Sequence, residues 1–329
     1  MSKLVLPTFQ DISESAKRLH GQSVLTPLLE SPFLNDLTGG RLLIKAESLQ
    51  RTGSFKFRGA YNRISRINKN DRKKGVVAYS SGNHAQGVAA AAQIFGIPAT
   101  IVMPEDAPTI KIENTRFYGA HIEFYARENR FERTRIAEKI AFDTGATLVR
   151  PFDDRWLLAG QGTVGLEMAQ QATAMGVDLD GVLVPCGGGG LVSGIAVALA
   201  EMSPETRIYA VEPEDFDDTR RSMQSGHIEQ IDGAATSICD ALLSPSPGDM
   251  TMAICSILLK AVLTVSDDQA LSAMRHAFSR LKLVLEPGGA VALAAVLSGK
   301  LDIKGKTVAV VCSGGNVDDT VFLKALQNG

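Results

Sequence analysis

The chain has 329 residues, enough for one large domain or two of ordinary size, and 45% apolar with 21% charged residues is the balance of a folded globular protein. A formal net charge of -2 without any dense basic run argues against nucleic acid as a partner. No apolar stretch reaches the roughly 18 residues that a membrane span needs, so a membrane partner is not expected either.

From the N-terminus, Asp11 and Glu14 follow too soon after a short apolar start for a signal peptide. Strands are predicted at Val76–Ser80, Thr100–Met103, Ile122–Tyr125, Thr147–Arg150, Val182–Pro185, Arg207–Val211 and Thr307–Val311. Helices are predicted between them at Ala85–Phe95, Arg133–Phe142, Val164–Met175 and Leu191–Met202. Gly96 closes the first of these, and Ser266 with Gln269 forms a capping box opening a helix that runs to about Leu281. Pro287 opens the next helix. Alternating strands and helices indicate an α/β fold with mostly parallel sheets. Cys186, Cys239, Cys255 and Cys312 lack C-x-x-C spacing. They read as buried thiols in a reducing, cytoplasmic compartment. No linker marks a domain boundary.

Four loops carry the chemistry. In Ser54–Ala60, Lys56 lies between Phe55 and Phe57. Apolar surroundings make a lysine easier to deprotonate and so able to form a Schiff base; alternatively its stem lies on a phenylalanine with the amine in water. In Ser80–Gly87, squeezed between a strand and a helix, free N–H groups with Ser81 and Asn83 suit a carboxylate or phosphate, or simply cap the helix. His84 reads as a structural hydrogen-bonding residue. Gly187, Gly188, Gly189 and Gly190 follow a strand and precede a helix, at a conformational cost hard to explain unless a ligand, most naturally a phosphate, approaches the backbone. The run fits neither G-x-x-x-x-G-K-[ST] nor G-x-G-x-x-G. Glu212 at the end of the next strand still leaves an NAD(P)-dependent oxidoreductase as an alternative. Finally Cys312–Asn316 follows a buried strand, and its glycines would let the backbone and Ser313 approach a flat ring or would simply make a tight turn.

Taken together and in this order, SFKFRGA, SSGNHAQG, AGQGT, GGGG and SGGN resemble the serine/threonine dehydratase family of fold-type-II pyridoxal-phosphate (PLP) enzymes, which includes catabolic threonine dehydratases and serine racemases. The resemblance runs from about Thr26 to Asn316. It implies two open, mostly parallel twisted sheets flanked by helices, as in the β subunit of tryptophan synthase. Residues 1–54 and 148–329 would form a large PLP-binding domain and residues 55–147 a small inserted one. A homodimer is implied as well.

By the same resemblance Lys56 carries PLP, Gly187 to Gly190 bind its phosphate, Asn83 meets the ring hydroxyl, Phe55 packs near the ring and Ser313 meets the pyridine nitrogen. Ser54, Ser81, Asn83 and His84 line the pocket for the substrate carboxylate. Glu212, the Phe216 carbonyl and Asp218 would bind Mg²⁺, Ca²⁺ or Mn²⁺, in keeping with the oxygen ligands hard cations prefer; such an acidic run otherwise reads as a solvated loop. The implied activity is that of an ammonia-lyase taking a β-hydroxy amino acid, L-serine or L-threonine first, to a 2-oxo acid and ammonia. Lys56 would move the α-proton. A neutral Ser313 hydroxyl would keep the ring a weak electron sink, favouring elimination.

Ser81 raises a serine racemase as an alternative, since the matching residue in the racemases exchanges the α-proton from the other face. Arg130, Arg133, Arg135 and Arg155 cluster in sequence. An arginine fork there, Arg133 above all, would hold the second carboxylate of β-hydroxyaspartate; a solvated helix face with Glu128, Glu132 and Glu138 is the other reading. Few residues follow Asn316, so no regulatory domain is expected.

Overall fold

The computed structural model describes residues 4–126 and 132–327. Among these the elements run α1 (Phe9–Leu19), β1 (Leu28–Glu30), α2 (Pro32–Thr38), β2 (Arg41–Ala46), α3 (Lys56–Ser65), β3 (Val76–Tyr79), α4 (Asn83–Phe95), β4 (Ala99–Pro104), α5 (Thr109–Phe117), β5 (His121–Tyr125), α6 (Glu132–Thr144) and β6 (Thr147–Leu148). The second half adds α7 (Arg155–Ala174), β7 (Gly181–Pro185), α8 (Gly190–Met202), β8 (Arg207–Pro213), α9 (Asp218–Ser225), α10 (Asp249–Leu258), β9 (Leu259–Val265), α11 (Asp267–His276), α12 (Pro287–Leu297), β10 (Thr307–Cys312) and α13 (Asp319–Gln327).

Two sheets result. One has the order β1-β2-β10-β7-β8-β9 and draws strands from both chain ends; the other is β5-β4-β3-β6. Every pairing is parallel except β1 with β2. Both faces of the larger sheet are covered, as a parallel sheet requires. Along β10, Val308, Val310 and Cys312 join the cluster beneath α11 and α12, while Ala309 and Val311 join the opposite one beneath α7 and α8. The smaller sheet is split likewise, Val76 and Ala78 on one side and Val77 on the other. Among the described residues no helix is long and apolar enough to cross a membrane.

The predicted strands and helices are present with shifted ends, and three strands escaped the pattern. β2 (RLLIKA) carries a buried lysine next to its end, β9 (LKAVLTV) follows a helix without a break, and β1 has only three residues. Helix α7 begins at Arg155, nine residues before its predicted start, where the Asp154 side chain accepts from the backbone N–H groups of Trp156 at 2.9 Å and Leu157 at 3.0 Å. Glycines in its first half hid it. A Cβ on Gly160 would lie 2.7 Å from the Cα of Gly59, so the missing side chain is what lets α7 lie against α3. Helix α11 has its capping box but is regular only to His276; a π-helical turn follows over Ala277–Leu281.

Candidate active site

Three loops at the carboxyl ends of parallel strands, after β3, β7 and β10, meet across a cleft between the two sheets, the position where open α/β sheets place ligands. The cleft holds about 970 Å³ of empty space, part of it open to solvent. Phe55, Lys56, Ser81, Asn83, His84, Arg133, Gly187 to Gly190 and Ser313 all line it. Ser54 does not. It is fully buried behind the wall, where it bridges to Gly314.

Lys56 is the first residue of α3. The segment before it is fixed by the Phe55 N–H, which donates to the Ser313 carbonyl at 3.1 Å. The segment after it is fixed by Arg58, fully buried, whose guanidinium makes paired hydrogen bonds to Glu47 at 2.8 Å and to Glu167 at 2.6 and 2.8 Å. The Lys56 ammonium lies 5.3 Å from the Phe55 ring centroid and donates to the Pro151 carbonyl at 2.9 Å. Burial lowers its pKa to about 8, and the charge of Glu286 only partly opposes this. The amine is thus poised to act as a nucleophile near neutral pH.

His84 is equally defined. Its Nε2 lies 3.0 Å from the Val149 carbonyl, so that nitrogen carries the proton. Burial, reinforced by the charge of Lys56, lowers its pKa to about 3. It stays neutral at the cleft wall.

Gly190 opens α8 behind Gly189, whose φ of +83° is a left-handed conformation that favours glycine. A ligand is not the whole reason for the run. A Cβ on Gly188 would sit 2.3 Å from the Phe152 ring, and one on Gly189 would sit 2.8 Å from the Thr251 Cβ. The protein's own packing therefore demands two of the four glycines, and their backbone borders the cleft beside a helix N-terminus suited to a phosphate.

Glu212 lies outside the cleft. It is fully buried, and its carboxylate accepts the backbone N–H groups of Thr219 at 3.0 Å and Arg220 at 3.1 Å at the start of α9. It cannot serve as a ribose-binding acid, and the dinucleotide alternative fails. Asp218 is buried beside it with neither carboxylate oxygen hydrogen-bonded. Burial, added to by the other acid's charge in the case of Asp218, raises Glu212 to about 7 and Asp218 to about 9. Arg221 opposes this only in part at Asp218, and buried carboxylates of this kind suit a hard cation, although no group of three or more His, Cys, Asp or Glu is arranged for a metal among the described residues.

Among the described residues, Arg133, Arg135 and Arg155 do not converge. Arg133 lines the cleft with its guanidinium 5.8 Å from the Tyr79 ring centroid. Arg135 pairs at 3.0 Å with Glu132 on the exposed face of α6, and Arg155 pairs at 2.8 Å with Asp11 of α1. Arg130 and Glu128 lie outside the described residues.

Four polar residues around the cleft had no assigned role. Lys111 of α5 is buried and pairs with Asp240 at 2.7 Å and Glu286 at 2.8 Å, and Asn316 hydrogen-bonds Asn83. The only legible signal was Glu286, an acid directly before the proline that opens a helix. Lys111 looks like any surface lysine of an amphipathic helix.

The family described as "Pyridoxal-phosphate dependent enzyme" matches residues 22–314. The chain is 43% identical to the L-threonine ammonia-lyase of Thermotoga maritima over 98% of this chain and 79% of that protein. It is 44% identical to an L-threo-3-hydroxyaspartate ammonia-lyase of Pseudomonas sp over 98% of this chain and 99% of that protein. The solved structure of maize serine racemase superposes with a TM-score of 0.91 at 35% identity, covering 98% of each chain. With a matching family spanning most of its length and relatives of this identity, the chain belongs to the pyridoxal-phosphate dependent enzymes.

Proposed function

We propose that the protein is a PLP-dependent ammonia-lyase that takes a β-hydroxy amino acid, L-threonine or L-serine first, to a 2-oxo acid and ammonia. The observation that carries this is Lys56, a desolvated amine with a pKa lowered to about 8 in a cleft bordered by a glycine-lined helix N-terminus. The relatives named as ammonia-lyases agree with it. When bound, PLP supplies an electron sink for the α-carbon. In this reading Gly187 to Gly190 hold the phosphate, Asn83 meets the ring hydroxyl, and Ser81 holds the substrate carboxylate. Lys56 takes the α-proton, being an amine that exchanges protons near neutral pH. Ser313, 5% exposed and without charge, faces the ring nitrogen and leaves it unprotonated.

Arg133 favours a second reading. It is the arginine among Arg133, Arg135 and Arg155 that lines the cleft, it suits a β-carboxylate, and a relative acts on L-threo-3-hydroxyaspartate. Ser81 in the cleft, with the maize structure, keeps racemisation as a further outcome. The test is 2-oxo acid release by PLP- and Mg²⁺-loaded protein from L-serine, D-serine, L-threonine and the hydroxyaspartate isomers. Release from L-threonine or L-serine is expected. Preference for a hydroxyaspartate would assign the substrate to Arg133, and silence from a loaded protein would refute the lyase reading.

Four further assignments belong to this proposal. Glu212, Asp218 and the Phe216 carbonyl bind Mg²⁺ or Ca²⁺, supported by the unpartnered Asp218 carboxylate. The protein works as a homodimer; Val24, Leu25 and Leu49, exposed on segments that Gln50 ties together, offer an apolar face. Residues 55–147 form a small domain around the four-stranded sheet. The compartment is the cytoplasm, in keeping with four free, buried cysteines.

A further inference from the structure

Asn83 stands at the cleft wall with both ends of its side-chain amide hydrogen-bonded inside the protein. Its Nδ2 donates to Glu286 Oε1 at 2.5 Å, and its Oδ1 accepts from Asn316 Nδ2 at 2.8 Å. Asn316 Nδ2 also donates to the Thr52 carbonyl at 2.8 Å. Carboxylates and carbonyls only accept. Turning the Asn83 amide round would therefore set oxygen against the Glu286 carboxylate and N–H against the Asn316 N–H. In the orientation this enforces, one N–H of Asn83 is left over, and Asn83 borders the cleft.

Glu286 is 1% exposed, and burial there favours its neutral form. Lys111, also 1% exposed, opposes this from 2.8 Å while bridging to Asp240 at 2.7 Å. The Lys111 stem runs directly beneath the loop that carries Asn83: a Cβ on Gly82 would come within 2.1 Å of its Cδ.

We propose that Glu286 and Asn316 are positioning residues that lock the Asn83 amide with an N–H toward the cleft, where it stabilises a deprotonated hydroxyl on the cofactor ring, and that Lys111 holds Glu286 in the form this requires. The proposal rests on the reading that PLP binds in this cleft. Glu286→Gln is the informative change. It offers one oxygen to two donors, Lys111 Nζ and Asn83 Nδ2. Lysine can only donate, so the glutamine oxygen turns to Lys111, its NH₂ faces Asn83, and the asparagine amide is driven round.

The experiment is the absorption spectrum of the holoenzyme, read with retention of the bound cofactor. Glu286→Gln is expected to keep the cofactor but to lower the ratio of the long-wavelength band, from the deprotonated ring oxygen, to the short-wavelength band by about tenfold, the effect of one hydrogen bond to a charged group. Lys111→Met combined with Glu286→Gln frees the glutamine oxygen for Asn83 and is expected to restore most of the ratio, which a merely loosened pocket would not do. Should Glu286→Gln fail to fold, Asn316→Ala, which releases the Asn83 oxygen and the Thr52 carbonyl but leaves the Glu286 contact in place, is expected to lower the ratio by about threefold. An unchanged ratio in these single variants, or no recovery in the double variant, overturns the positioning role while a wild-type band lost in Lys56→Ala keeps the cofactor reading intact. A wild-type protein with no such band overturns both.

Discussion

Arg58 sits two residues after Lys56 and ties the reactive lysine's helix to the turn that follows β2 and to α7. Its side chain is fully buried, as is that of Glu47, and each holds the other through two hydrogen bonds at 2.8 Å. Arg58→Met removes the guanidinium but keeps most of the volume, leaving Glu47 buried with Thr26 as its remaining side-chain hydrogen-bond donor. Breaking one partner out of a buried pair costs about 3–5 kcal/mol. Burial alone would raise the Glu47 pKa, but Arg58 overrides it and holds the folded value below normal. A depressed carboxylate pKa contributes stability that is present above the unfolded pKa and is lost as the pH falls through the folded one. In Arg58→Met that contribution is gone, and the acid's folded pKa rises instead. The stability deficit is therefore expected to be largest at pH 7 to 8 and to shrink toward pH 5, where Glu47 takes up a proton. Glu47→Gln added to Arg58→Met is expected to recover part of the loss at neutral pH. Denaturant unfolding of the holoenzyme at several pH values, followed by far-ultraviolet circular dichroism, reads this directly. A loss below about 1 kcal/mol at neutral pH, the scale of an exposed ion pair, or one independent of pH, would refute the reasoning.

Three other outcomes follow from the cleft. Because burial lowers Lys56 to about 8, the rate at which apoprotein captures PLP is expected to rise with pH through about 8 and then level off; a rate that keeps rising to pH 10 would contradict the desolvated amine. Gly188→Ala places a methyl 2.3 Å from the Phe152 ring and is expected to cost about 1–3 kcal/mol of stability and to weaken PLP retention in a dialysis assay, whereas Gly226→Ala, where nothing lies within 4 Å, is expected to spare PLP retention. Arg133→Met is expected to abolish any hydroxyaspartate turnover while changing kcat/KM for L-threonine by less than about tenfold, since only the former has a second carboxylate for the guanidinium to hold.

Much of the fold was legible because β3, β4, β7, β8 and β10 are runs of branched apolar residues buried on both faces, which differ plainly from the helices between them. What escaped was decided by tertiary contact. Lys45 looks foreign to a central strand until its ammonium is seen with Glu167 at 2.7 Å and the Thr26 carbonyl at 2.8 Å. Gly160 looks foreign to a helix until α3 is seen against it. At the site, glycine runs and the lysine between two phenylalanines announce themselves locally. Lys111, Asp240 and Glu286 come from distant segments, and only folding makes them neighbours. The converse holds for the arginines: neighbours in sequence, Arg133, Arg135 and Arg155 diverge to a cleft, a helix face and α1.

The most direct test of the central claim is to load the protein with PLP, reduce it with borohydride and map the modified lysine by peptide mass spectrometry, alongside 2-oxo acid release from L-threonine. The account predicts a single label on Lys56, and loss of both label and 2-oxo acid release in Lys56→Ala. A label on Lys111 or another lysine, or release of 2-oxo acid by Lys56→Ala at the wild-type rate, would contradict it.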